Sequence, residues 1–199
     1  MFTQITEQRW TLRLWYGKYT HVADIRCGED LATDPVKWAR KNLKGRHRIY
    51  SDYQYSGSWP KFDRYRKRVR IYTSGADHQA VIDTWGDRVT MVSTPFNAAA
   101  EAELLSGITL NLREKLYWNC YRYSISFYCK SGVKAELSTW IKNSIGIDKK
   151  LVRLGRGTFF PIMYLRDESD MIMVRMAEPA RIIGMTRAYT HAEMLASLQ

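Results

Sequence analysis

The stretch from Arg46 to Arg70 concentrates the side chains best suited to a polyanion. Its cations are Arg46, His47, Arg48, Lys61, Arg64, Arg66, Lys67, Arg68 and Arg70, and between them stand Tyr50, Tyr53, Tyr55, Trp59, Phe62 and Tyr65. Phosphates need cations at chain spacing, and unstacked bases accept aromatic rings or guanidinium planes as platforms. Arginine outnumbers lysine here, which suits bidentate phosphate contact. The candidate contact residues are Arg48, Tyr50, Tyr53, Tyr55, Trp59, Lys61, Arg64, Tyr65, Arg66 and Lys67. Tyr53 and Tyr55 share one face of an expected strand, giving a two-ring platform. Two other readings of the same pattern stand beside this one: tyrosines filling a core with cations turned to solvent, and a surface for protein partners.

Other constellations carry less chemistry. Asp167, Glu168 and Asp170 cluster and can be imagined holding a metal or moving a proton, but their spacing fits no calcium loop, and a hairpin tip explains them. His21, His47, His78 and His191 lack ligand spacing. Gly155-Arg156-Gly157 lacks the Gly-Lys-Ser/Thr ending of a phosphate loop. Arg122 and Tyr123 have the chemistry of a sheet-surface RNA binder, without the basic-Gly-aromatic-Gly-aromatic string. No catalytic residue, metal or cofactor is expected.

The whole chain has 199 residues and a formal net charge of +11, a balance that favours encounter with polyanions and salt-sensitive binding. Its 45% hydrophobic content is ample for a core and too high for disorder. Cys27, Cys120 and Cys129 are odd in number and widely spaced, so no disulfide framework or zinc site follows. No secretory leader or membrane span is apparent, and a cytoplasmic setting, or a virion if the source is viral, is expected.

These residues must be held by regular elements. Alternation predicts strands over Arg9–Tyr16, Thr20–Arg26, Arg48–Tyr55, Arg68–Thr73, Arg88–Ser93, Tyr121–Cys129, Lys150–Leu154 and Arg181–Tyr189, and a hairpin of Pro161–Arg166 with Met171–Met176. Helices are expected from Pro35 with Thr33 or Asp34 as cap, over 76–85, from the Asn97 cap to Leu105, after Ser131-Gly132, and over His191–Leu198. The strand–helix–strand from Arg68 to Ser93 predicts a parallel pair with a crossover helix. Ser74-Gly75 leading to Thr84-Trp85 is matched by Ser131-Gly132 leading to Thr139-Trp140, which reads either as an internal duplication or as convergence.

The expected fold is α+β: a mixed sheet flanked by three to four helices, with two ferredoxin-like split βαβ units as its duplicated form. Residues 1–66 form an N-terminal strand, helix and hairpin region, and residues 67–199 an α+β core, together one compact body. The expected function is non-catalytic nucleic-acid binding, in a viral or phage accessory protein, with DNA and RNA undistinguished. The alternative is an assembly protein that binds protein partners or itself through aromatic and methionine-rich surfaces.

Overall fold

Asp34 fixes the start of the first helix: its Oδ1 accepts the Val36 amide at 2.9 Å, and Pro35 takes the first helical position, where no amide is needed. The computed structural model describes residues 5, 7–27, 34–56, 64–128, 137, 139–141, 143, 153–154, 160–177 and 179–198, with the backbone alone at 52–56, 64–67, 154 and 180. The chain divides into two compact units, Met1–Glu101 and Ala102–Gln199. The boundary expected after residue 66 falls inside a continuous strand.

The first unit runs β1 (Glu7–Trp10), β2 (His21–Arg26), α1 (Pro35–Asn42), β3 (Arg48–Ser56), β4 (Arg64–Thr73), α2 (Ala76–Trp85) and β5 (Val89–Thr94). The helix α3 (Ala98–Leu105) carries the chain into the second unit. The sheet order is β1-β5-β2-β4-β3, with β1 parallel to β5 and every other pairing antiparallel. The predicted parallel neighbours β4 and β5 are therefore split by β2. The antiparallel β2 satisfies a ladder on each side of itself, which a short β4–β5 crossover would have closed off.

The second unit runs β6 (Ile108–Arg113), β7 (Tyr123–Phe127), a helical segment holding Leu137, Thr139 and Trp140, β8 (Arg153–Leu154), β9 (Ile162–Leu165), α4 (Glu168–Ala177), β10 (Ile182–Thr190) and α5 (His191–Ala196). Its order, β6-β10-β7-β9-β8, repeats that of the first unit, with β6 parallel to β10. In both units a strand–helix–strand–strand–helix–strand run, ordered fourth-first-third-second, is extended by a leading strand and a trailing helix. The fold is α+β with two mixed sheets.

The repeat extends to register. Placing β2 on β7 equates Ala23 with Ile125 and Ile25 with Phe127, all fully buried. Opposite these pairs the last strand bulges at the same place, leaving Thr90 extra in β5 and Ile183 extra in β10. The trailing helices are capped alike: Asn97 Oδ1 accepts the Ala100 amide at 2.7 Å, and Thr190 Oγ1 accepts the Glu193 amide at 3.2 Å. This register differs from the one the Ser-Gly and Thr-Trp pairs suggest. Trp85 lies in the second helix of its unit, whereas Trp140 lies in the first crossover of its own, the place held by Trp38 in α1. Ser131 and Gly132 lie outside the described residues.

Each core lies between the helices and one sheet face. In the first unit Ala23, Ile25, Val69, Ile71, Val89 and Val92 meet Ala39 of α1 and Val81 and Trp85 of α2. In the second, Ile125, Phe127, Met163 and Leu165 meet Leu137, Ile141, Met171 and Val174. The expected hairpin at 161–176 is half right. Ile162–Leu165 is a strand, but the acidic residues beyond it open α4, where Glu168 and Asp170 suit the positive helix start. The alternation of Met171, Met173 and Val174-flanking residues conceals a helical pair, Met171 and Val174, which are buried while Met173 and Met176 are exposed. The strand expected over Arg9–Tyr16 ends at Trp10, and β6 has no counterpart among the predicted strands.

Candidate nucleic-acid interface

The sheet face turned away from the helices carries the unusual chemistry. In the first unit Trp15 to Tyr19 forms a tight turn: the Trp15 amide donates to the Tyr19 carbonyl at 2.8 Å, and the Lys18 amide donates back to the Trp15 carbonyl at 3.0 Å. In the second, Tyr117 to Tyr121 repeats it, with the Tyr117 amide on the Tyr121 carbonyl and the Cys120 amide on the Tyr117 carbonyl, each at 3.1 Å. The central residues have positive φ in both, Tyr16 at 52° and Gly17 at 65°, Trp118 at 46° and Asn119 at 63°. These are type I′ turns, and glycine and asparagine suit the second central position. The first central position holds a bulky ring in both, at a cost of about 1–2 kcal/mol each.

Each turn folds over a tyrosine, Tyr72 of β4 in the first unit and Tyr164 of β9 in the second. Tyr72 is buried beneath Trp15, Tyr16 and Tyr19, with ring centroids 6.0, 5.0 and 6.2 Å away. Tyr164 takes the same place beneath Tyr117 at 5.1 Å and Trp118 at 4.3 Å. An arginine from the neighbouring edge strand completes each cluster. Arg48 pairs with Tyr72 across β3 and β4 and lays its guanidinium 3.9 Å from the Tyr16 ring centre. Arg153 pairs with Tyr164 across β8 and β9 and lies 4.3 Å from the Trp118 ring centre. Tyr16 remains 51% exposed and Trp118 42%, so both rings still face solvent. Arg113 over Tyr117 and Arg166 over Tyr121 add further cations to the second cluster. Burial pushes the Tyr164 hydroxyl pKa up, Tyr117 adds to this, and Arg113 opposes it.

The first unit also buries a carboxylate on this face. Asp24 has no exposed surface; Arg70 Nε donates to its Oδ1 at 2.6 Å and Nη2 to its Oδ2 at 3.0 Å, and Arg68 Nη2 donates to Oδ2 as well. Burial, followed by the neighbouring Arg70 and Arg9 cations, lowers the Arg68 pKa. Arg68 and Arg70 are thus committed to an internal acid.

A second polar cluster lies in the same unit. His21 and His78 stack with ring centres 4.7 Å apart, and the Thr20 hydroxyl lies 2.8 Å from His21 Nδ1 and donates to Glu101 at 2.7 Å. Burial lowers the His21 pKa against the pull of Glu101; burial and then His21 lower that of His78 to about 4. The equivalent positions in the second unit are Tyr123 and Met171, both core. Tyr123, whose chemistry with Arg122 resembles that of a sheet-surface RNA binder, is buried, and burial pushes its pKa up to about 12. Its neighbour Arg122 is paired to Glu193 at 2.6 Å.

Of the candidate contact residues, the structure brings Arg48 into the first cluster and leaves Tyr50 49% exposed on β3. Tyr53 and Tyr55 lie on β3, paired in register with Lys67 and Tyr65, and Arg64 and Arg66 lie on β4 beside them. The side chains of these six fall outside the described residues, as do Trp59 and Lys61 altogether. Sequence reasoning missed Tyr16, Trp118 and Arg153. The signal was available in Leu14-Trp15-Tyr16-Gly17-Lys18-Tyr19 against Leu116-Tyr117-Trp118-Asn119-Cys120-Tyr121. Among the described residues no His, Cys, Asp and Glu group of three or more could hold a metal, and no helix is long and apolar enough to cross a membrane. Comparison with protein-family models, curated proteins and solved structures found no match to this chain.

Proposed function

We propose that this chain is a non-catalytic nucleic-acid-binding protein. The observation that carries the reading is an arginine stacked on a solvent-facing ring, on the sheet face turned away from the helices in a chain with net charge +11. Guanidinium groups neutralise phosphates, and exposed rings accept bases. Arg48 and Tyr50 belong to this surface. A viral or phage accessory role, in host cytoplasm or virion, is proposed as its setting.

Labelled single- and double-stranded DNA and RNA, titrated at about 50 and 200 mM salt, test the reading; affinity should fall by about 10³-fold or more if several phosphates are contacted. Absence of binding to all four at the lower salt overturns it. A second reading rests on α4, where Ile172, Met173 and Met176 are exposed apolar side chains, Met176 at 77%. They suit a protein or self-association surface, which sedimentation of wild type against Met176→Lys would detect.

A further inference from the structure

We propose that the chain carries two equivalent sites for single-stranded nucleic acid, one in each unit: Tyr16 with Arg48, and Trp118 with Arg153. The inference rests on the nucleic-acid reading and names its residues and stoichiometry. Equivalence follows from register. Both rings occupy the first central position of a type I′ turn, and both arginines stand opposite the tyrosine beneath that turn.

A purely structural role accounts for part of each cluster. Trp15, Tyr19 and Tyr72 cover one sheet face, and Tyr117, Tyr121 and Tyr164 cover the other. It does not account for Tyr16 and Trp118. Their positions have positive φ, which asparagine or glycine adopts with less strain, and the rings remain about half exposed. Each ring rests on the tyrosine beneath it but leaves about half its surface in solvent at a strained position, and an aromatic stands there in both units although the residue differs. Backbone strain that persists in such places points to function.

The chemistry selects the ligand. Each site offers a ring for stacking and a planar guanidinium for phosphate or for a second stacked base. A polyanion with accessible planar groups fits both halves of this pair. A duplex hides its base faces, and a sulfated polysaccharide has none. Exposed Arg13 and Lys18 flank the first turn, and exposed Arg113 and Lys115 the second, so the backbone of a strand leaving either ring meets further cations.

The test is calorimetric titration of the full chain with short oligodeoxythymidylate and oligouridylate, which also separates DNA from RNA. Two equivalents of oligonucleotide should bind per chain. Tyr16→Asn and Trp118→Asn suit the turn and preserve the fold, which circular dichroism and thermal melting check. Each should weaken one site by about 5- to 150-fold, leaving one equivalent, and the double variant should lose both. Arg48→Lys and Arg153→Lys keep the charge and should still weaken their own site. Oligonucleotide binding that neither ring variant alters overturns this inference and leaves the nucleic-acid reading standing. Equal binding of heparin that is indifferent to both ring variants overturns it too, since charge alone would then suffice. No binding of any oligonucleotide overturns both.

Discussion

The two units build one sheet order around opposite choices of interior. The first places Asp24, His21 and His78 where the second places Ser126, Tyr123 and Met171. Strand order, bulge position and turn geometry survive the exchange because they rest on backbone pairing and on the apolar helix-side core. Asp24 and His21 have partners about them, two guanidiniums at the first, a ring contact and a threonine at the second. The difference teaches which features the architecture requires and which belong to one unit alone.

The largest expected effects attack the buried acid. Asp24→Asn leaves two arginines without their carboxylate and should cost about 3 kcal/mol, read by chemical denaturation. The reverse experiment, Ser126→Asp, sets a carboxylate opposite Ile162, where no guanidinium is in register, and should also destabilise. A stabilising Ser126→Asp would break the comparison.

Protonation provides a second contrast of similar size. The folded pKa of His78 lies near 4 against an ordinary 6.5, so between these values the unfolded chain binds the extra proton. Stability from this group is complete above pH 6.5 and falls by up to roughly 3 kcal/mol as pH drops to about 4. His21 shifts in the same direction. In His78→Met, which borrows the residue of the second unit, the decline in stability across this window should flatten. An unchanged slope in urea titrations at pH 7 and pH 4.5 would contradict the assignment.

Smaller effects probe the shared turns and caps. Gly17→Val forces a branched side chain into a φ of 65° and should cost about 1–2 kcal/mol in melting experiments, whereas Gly17→Asn, the residue pair of the second unit, should cost less. Thr190→Ala removes half of a reciprocal capping box and should cost about 1 kcal/mol. Burial raises the Glu193 pKa, but the Thr190 amide and Arg122 outweigh it and hold the carboxyl below its ordinary range. Asn97→Ala, at a cap with one described side-chain bond, should cost no more.

Local chemistry was readable where a single residue settles an element. Asp34-Pro35, Asn97 and the alternation through Arg68–Thr73 led directly to α1, α3 and β4. Alternation misled at Met171–Met176, because five apolar side chains in six residues satisfy both periods and only the acidic first turn speaks for a helix. The split of β4 from β5 depends on a strand some fifty residues earlier, and no local signal carries that. The site was half legible for a related reason. Charge density directed attention to Arg48 and Tyr50, while Tyr16 and Trp118 matter through a turn conformation and an arginine brought alongside by sheet pairing. Comparing the halves residue by residue around the turns would have found them.

The pairing of Asp24 with Arg70 has a consequence for synthesis of the chain. Near-copies of a sheet made in succession invite exchange of strands while each half is still emerging from the ribosome, a recognised hazard of repeated architectures. In the native first unit β2 sets Asp24 against Arg70 of β4; the matching position in β9 is Ile162. A nascent β2 that met β9 in place of β4 would bury its carboxylate against a hydrocarbon, a mismatch worth several kcal/mol. One acid in one copy thus weighs against that exchange.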